Sequence, residues 1–319
     1  MATNLIFRRI ATADWPAVDV LAARTYGESF GVDSWRRKHD ENPLEENAPW
    51  AVGAFDGTRA VGFFSMLPLP LRVDGQLVNS NQIIDLMTDP DYRGQGIFDK
   101  LAAALYQQMV DDGHQLSIAF NVPGTAAHKG HLKHGYKMLG PLVQYTKVHR
   151  LRTFCAGKDG WPLIRRAAFG IYAHRVAPTL ASRRPQACAS RIMPEYRDDH
   201  LRWRGRLNPG RWTELCNDSS ARLLVNGHDD DLYILVCKGL PEQVKRLLQR
   251  ADQIARAHGF ATVRTSVTEH SYFCKHLEAA GYRKHGRERV LSILPVGENT
   301  LDVFNFHDWH LMLGDTDNL

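Results

Sequence analysis

The stretch Ile83-Ile84-Asp85-Leu86-Met87-Thr88-Asp89-Pro90-Asp91-Tyr92-Arg93-Gly94-Gln95-Gly96-Ile97-Phe98, followed by Asp99-Lys100-Leu101-Ala102-Ala103-Ala104-Leu105, constrains the fold more than any other part of the chain. It reads as a strand, a sharp turn carrying two glycines, and a helix. Such a turn leaves the first backbone N–H groups of the helix unpaired, beside the positive end of the helix dipole. That is an anion site suited to phosphate. Gly94 and Gly96 let the backbone approach a ligand without a Cβ in the way, and Arg93 adds charge-assisted hydrogen bonds. Two other nucleotide loops are excluded: the chain has no Gly-x-x-x-x-Gly-Lys-Ser/Thr, and the turn has no third glycine for a dinucleotide fingerprint.

The 319 residues suit two domains of about 150 residues each. Residues 5–10 read as a strand. Asp14 offers an N-cap to a helix opening at Trp15-Pro16, and Ser34 offers one to a second helix over 35–39 that Asn42-Pro43 ends. Residues 50–55 and 60–69 are strands joined at Asp56-Gly57, Asp74-Gly75 marks another turn, and 82–88 is the strand feeding the glycine turn. Phe98, Leu101, Leu105 and Met109 recur at helical spacing, which predicts a helix over 98–112. A strand at 116–120, a short helix at 125–134 and a strand at 137–148 complete a β-α-α-β-β-β-α-β-α-β order. This is an α/β (α+β) chain with a mixed sheet flanked by helices.

Residues 161–176 read as a further helix, and Arg183-Arg184-Pro185 as linker. A second folded block then repeats the texture of the first. Gly113 is followed after twenty-two residues by Gly135-Tyr136-Lys137, and Gly259 after the same interval by Gly281-Tyr282-Arg283. A His-Leu pair precedes each, at His131-Leu132 and His276-Leu277, and a helical pattern precedes each unit, at 98–112 and 242–258. Equal spacing predicts the same helix–strand–helix–strand unit twice. The second copy has Cys237-Lys238-Gly239-Leu240-Pro241 in place of the Arg93 turn, so its phosphate cradle is gone. The expected domains are 1–150, a helical linker 151–194, and 195–319.

Charge and cysteine use narrow the class. A net charge of +5 suits an anionic cofactor, and no Lys/Arg block is long enough to argue for nucleic acid by itself, although the basic stretch 150–211 keeps that reading as a weaker third. Cys155, Cys188, Cys216, Cys237 and Cys274 are scattered without a C-x-x-C pair, as expected for reduced thiols of a cytoplasmic protein. Neither a signal peptide nor a membrane span is expected, since no run approaches about 18 apolar residues.

Taken together, the strand, Asp89 to Ile97 and the following helix resemble the acetyl-CoA-binding signature of the GNAT acetyltransferase superfamily. The downstream strand, Asn121, helix and Gly135-Tyr136 resemble it too. The likeness covers about 5–149 directly and 195–319 as a degenerate second copy that frames the substrate cleft in tandem. Of the family pattern Arg-x-x-Gly-x-Gly/Ala, Arg93 and Gly96 match, while Phe98 stands where a small residue is usual. The resemblance implies that the amides of Gly94, Gln95, Gly96, Ile97 and Phe98 hold a pyrophosphate. It also implies that the main chain of Leu86, Met87 and Thr88 pairs with the pantetheine arm, and that Asn121 touches the cofactor.

The implied activity is N-acyl transfer, from acetyl-CoA to a small-molecule or peptide amine, by direct attack in a ternary complex. Such chemistry needs a base, because a free alkyl ammonium has a pKa of about 10.4. Asp85, read as sharing a face with Ile83 and Met87, is one candidate, against a structural carboxylate. Glu28, between the first two helices, is another, against a solvated loop. His131 falls where the family places its general-acid Tyr, with His128 one turn away. A zinc reading of these histidines lacks a cysteine or carboxylate to complete a ligand set, so no metal is expected. The rival function is a CoA-binding scaffold or sensor without transfer activity.

Overall fold

The computed structural model describes residues 4–44, 50–149, 190–195, 197–207, 212–218, 221–298 and 300–316, with 212–218 as backbone alone. The helix expected over 161–176, and the linker apart from its last residues, lie outside them. The chain divides into two compact units, Met1–Leu139 with Pro194–Leu207 and Val290–Phe304, and Gly140–Met193 with Asn208–Arg289 and Asn305–Leu319.

In the first unit the order is β1 (Ile6–Arg9), α1 (Trp15–Tyr26), α2 (Val32–His39), β2 (Ala51–Asp56), β3 (Arg59–Pro68), β4 (Leu71–Val73), β5 (Gln76–Val78), β6 (Ser80–Thr88), α3 (Ile97–Asp111), β7 (Leu116–Asn121) and α4 (Ala126–Lys133). Asp14 does not cap α1 with its side chain; it accepts from the Ala11 N–H and pairs with Arg8 instead. Gly31, at φ +83°, is the residue that precedes α2, and Ser34 lies inside it. The Asp74-Gly75 turn closes a short hairpin of β4 and β5.

The sheet of this unit runs β1-β2-β3-β6-β7, and its far neighbour is distant in sequence. Val290–Pro295, the end of β14 (Arg283–Pro295), pairs antiparallel with Asn121–Leu116 of β7. The strand that follows α4, β8 (Lys137–Val148), pairs instead with β13 of the second unit's sheet, Val148 opposite Thr262.

Period-two alternation gives this sheet two apolar faces. Val52, Ala54, Val61, Phe64 and Ile83 pack under Ile97, Leu101, Leu105 and Met109 of α3. Ala51, Phe55, Ala60, Phe63 and Met87 pack under Trp15, Val18, Leu21 and Trp35 of α1 and α2. After a short strand, β9 (Ile192–Pro194), a further helix, α5 (Asp198–Leu207), sets Trp203 on Leu67 and Ile84, and its indole N–H donates to the Arg37 carbonyl at 2.7 Å.

The second unit is built from β10 (Trp212–Asp218), β11 (Ala221–His228), β12 (Asp231–Lys238), α6 (Pro241–His258), β13 (Thr262–Thr268) and α7 (Phe273–Ala279), with sheet order β8-β13-β12-β11-β10. Its core joins Leu223, Leu232, Ile234 and Val263 to Val244, Leu247, Leu248 and Ala251 of α6. The four repeat glycines do the same work in both halves. Gly113 (φ +70°) and Gly259 (+73°) follow α3 and α6, and Gly135 (+91°) and Gly281 (+86°) turn the chain after α4 and α7. No helix among the described residues is long and apolar enough to cross a membrane.

Candidate active site

β6 and β7 run parallel but stay together briefly. Only Ser80, Asn81 and Gln82 pair with Leu116, Ser117 and Ile118. The joined end is locked by a buried chain in which Ser117 Oγ donates to Asn81 Oδ1 at 2.6 Å and lies 2.6 Å from Tyr136 Oη. Beyond it the strands diverge, so the edge of β6 that faced β7 has no strand partner from Ile83 to Thr88 among the described residues. An open main-chain edge of this kind can pair with an extended, amide-bearing ligand.

A bulge reshapes the same segment. Phe63 lies opposite Met87 and Ser65 opposite Ile84, so Asp85 and Leu86 together face the single residue Phe64. Asp85 takes the left-handed conformation at φ +42°. This corrects the alternation expected from sequence. The extra residue puts Ile83 and Leu86 on the α3 face but Met87 on the α1 face, so Asp85 does not share one face with Ile83 and Met87. Asp85 Oδ2 lies 2.7 Å from Lys38 Nζ of α2, and Tyr26 Oη donates to the Leu86 carbonyl at 3.3 Å. Asp85 is thus an ion-paired carboxylate at the bulge. Glu28 is exposed in the α1–α2 loop and has no hydrogen-bond or ion-pair partner among the described residues.

The glycine turn follows β6. Asp89 opens the 3-10 turn Pro90–Tyr92 by accepting from the Asp91 N–H at 3.0 Å. Its carboxylate, 0% exposed, also accepts from Arg24 Nε at 2.8 Å and Arg59 Nη2 at 2.7 Å. Burial by itself would raise this carboxyl, but the two guanidiniums and the N–H outweigh it and hold the pKa at about 2. Tyr92 Oη donates to Asp56 at 2.6 Å, pinning the other side of the turn.

Gly94 (φ +76°) and Gly96 (φ +71°) then bend the chain into α3. A Cβ on either would meet open space, so glycine is needed for the backbone angle and leaves that surface accessible. No side chain caps α3, and Arg93, Gly94, Gln95 and Gly96 are exposed. Arg93 and Gln95 have no hydrogen-bond or ion-pair partner among the described residues. Free amides, a helix N-terminus and an unpaired guanidinium therefore meet at one end of the open β6 edge.

Phe98 leaves that cradle. Its ring lies on α4, where a Cβ at Gly130 would come within 2.5 Å of it. A glycine on the neighbouring helix makes room for this ring. Asn121, at the end of β7, accepts on its Oδ1 from His131 Nδ1 at 2.8 Å. His131 is buried against Phe64 and Tyr136, and desolvation, aided by His128 and His134, lowers its pKa to about 4. At neutral pH it is a neutral imidazole, which is a poor fit to a general acid of the imidazolium kind. His131 Nε2 and Asn121 Nδ2 are buried and have no partner among the described residues. His128 receives the Gly124 N–H on its Nδ1 at 3.2 Å.

A family model for the acetyltransferase (GNAT) domain matches residues 7–130, which hold the open β6 edge, the glycine turn and most of α4. Those residues form a GNAT acetyltransferase domain. Solved structures agree in fold. A GCN5-related N-acetyltransferase from Kribbella flavida is 16% identical, with a TM-score of 0.59, over 91% of this chain and 70% of that one. One from Anabaena variabilis is 14% identical, with a TM-score of 0.60, over 92% and 73%. A probable N-acyltransferase from Enterococcus faecalis is 11% identical, with a TM-score of 0.61, over 92% and 73%. No curated protein matches the chain in sequence. Acyl transfer from an acyl-CoA is the chemistry of the GNAT class, and the cradle and open edge of this domain fit such a cofactor.

The second unit has the same strand divergence without the same access. β12 and β13 pair only at Asp231–Tyr233 with Thr262–Arg264. The gap beyond is filled by the chain's own C-terminal segment. The Thr268 N–H donates to the Leu311 carbonyl at 3.0 Å, Met312 bridges Val267, and Met312 Sδ accepts from the Cys237 N–H at 3.2 Å. Met312 is fully buried in the core. Asp315 is 2% exposed and accepts the Met312 N–H at 2.6 Å, so it is a built part of this plug. α6 offers no open cradle either, because Pro241 supplies no N–H and Gln243 Oε1 takes the Leu240 N–H at 2.7 Å.

No local sequence signal marks the Arg24–Asp89–Arg59 cluster, the Lys38–Asp85 pair or the Gly130–Phe98 contact, since each joins residues far apart in the chain. The large residue at 98 was the one hint, because it calls for a small residue opposite it.

Proposed function

We propose that the chain is an acetyl-CoA-dependent N-acetyltransferase that acetylates an amine by direct attack in a ternary complex. One observation carries this reading: the unpaired β6 edge ends at an uncapped helix start with two positive-φ glycines and a free arginine. The pyrophosphate would lie on the amides of Gly94, Gln95, Gly96, Ile97 and Phe98, with Arg93 beside it. The main chain of Leu86, Met87 and Thr88 would hold the pantetheine amides, and Asn121 would reach the cofactor from β7. In the reaction the amine nitrogen bonds to the acyl carbon, the C–S bond breaks, and CoA leaves as the thiol.

The proton lost by the ammonium needs an acceptor before attack. Glu28 is the unpaired carboxylate of the α1–α2 loop, and water passes protons to it or to bulk. Asp85, tied to Lys38, sets the charge at the bulge and is a secondary base. His131 orients Asn121, and solvent protonates the thiolate. The second copy contributes no cofactor site, so one acetyl-CoA binds per chain, and no nucleic acid takes part.

The test is release of free thiol from acetyl-CoA against a panel of amines. Turnover with at least one amine supports the reading. Tight CoA binding with no turnover on any amine favours the rival, a CoA-binding scaffold or sensor.

A further inference from the structure

The second unit has a cavity of about 390 Å³ on the face of its sheet that turns away from α6. This lies toward the lower end of the range of about 300–1,000 Å³ usual for small-molecule sites. Its floor follows from strand alternation. Val143, Tyr145, Leu232, Val263 and Val267 point into the α6 core. The residues between them, including Gln144, Thr146, Tyr233, Arg264 and Ser266, point the other way and line the cavity. Leu313 and Thr316, from the 3-10 turn Leu313–Asp315 and the residue after it, form part of the wall.

The chemistry of the lining is one-sided. Arg264, Arg289, His228 and His285 face the cavity, and among the described residues no aspartate or glutamate does. Arg264 Nε lies 3.3 Å from Asp231 and donates to Thr262 Oγ1 at 3.1 Å, and the two terminal nitrogens make no hydrogen bond among the described residues. Asn226, 2% exposed, also lines the cavity, and its Oδ1 has no hydrogen-bond partner among the described residues. A buried amide left short of a partner is costly to the fold. A ligand hydroxyl or amine, or the Asn226 amide turned toward a ligand oxygen, would remove that cost.

We propose that this cavity binds a small anionic metabolite. Its carboxylate or phosphate meets the terminal nitrogens of Arg264, and its hydroxyl or amino groups meet Asn226 and Ser266. A guanidinium with both terminal nitrogens open is matched to the two oxygens of either anion. The site stands apart from the acyl-CoA reading, because each of its residues belongs to the second unit.

The experiment titrates the full chain by calorimetry at low ionic strength with two probes, citrate for carboxylate and glucose 6-phosphate for phosphate. Saturable binding of either is expected, and which one binds identifies the anion. Arg264→Gln should weaken it at least tenfold. Ser266→Phe, which fills the floor without changing charge, should abolish it. Both variants should bind CoA as the parent does, which separates this site from the α3 cradle. If Ser266→Phe fails to fold, Arg264→Gln decides alone. Absence of saturable binding by either probe overturns the proposal, and so does binding that Arg264→Gln leaves unchanged.

Discussion

Replacing Asp89 by Asn tests how the phosphate turn is held. The Asp89 carboxyl falls from an ordinary 3.8 to about 2 in the folded chain, although it is buried, because Arg24, Arg59 and the Asp91 N–H bind its charged form. That difference corresponds to about 2 kcal/mol of folding stability at neutral pH. Arg24 and Arg59 are each 40% exposed, so solvent screens part of it and the figure is a ceiling. The sign follows from the direction. A depressed carboxyl stabilises the fold above its unfolded pKa, near 4, and the contribution is lost as pH falls through about 2.

Asp89→Asn should therefore lower stability at pH 7 by up to about 2 kcal/mol. The gap from the parent should close between about pH 4 and pH 2. Urea unfolding of both chains, followed by tryptophan fluorescence, measures it. A gap of equal size at pH 7 and pH 2.5 would refute the charge argument, and no gap at pH 7 would refute the role of the cluster. Acetyl-CoA affinity should drop as well, since Asp89 anchors the turn that leads into Gly94 and Gly96.

Three further outcomes follow from the same geometry. Gly130→Leu should destabilise the first unit by about 1–3 kcal/mol, because its Cβ alone would come within 2.5 Å of the Phe98 ring. Thermal melts should show Phe98→Ala recovering part of that loss, and strict additivity would contradict the contact. His131, with its pKa lowered to about 4, should show no ring titration by NMR from pH 5.5 to pH 8, whereas a midpoint near 6.5 would contradict its burial. Calorimetry should find one CoA per chain, because Met312 and its neighbours fill the gap between β12 and β13; two equal sites would contradict the plug.

What could be read from the sequence was local. The strand, glycine turn and α3 follow from residues within about one helix length of each other, and each of their signals pointed the same way. The four repeat glycines were legible for the same reason, since only a left-handed backbone demands them. The bulge was hidden, because strict alternation is the assumption that an inserted residue breaks, and Asp85 does not announce itself as glycine would. Pairing of β7 with Val290–Pro295 joins residues some 170 positions apart, and no period or turn residue records that. Nothing in the sequence marks the polar pair Asp315-Thr316 as buried, yet Asp315 is 2% exposed and Thr316 1%.

Hydrogen–deuterium exchange of the full chain with and without acetyl-CoA tests the central claim most directly. Two separated groups of amides should become protected together, those of 86–88 on the open β6 edge and those of 94–98 at the start of α3. The amides of β12 and α6 in the second unit should not change. Binding that leaves both first-unit segments unprotected, or that protects β12 and the start of α6 instead, would contradict the account.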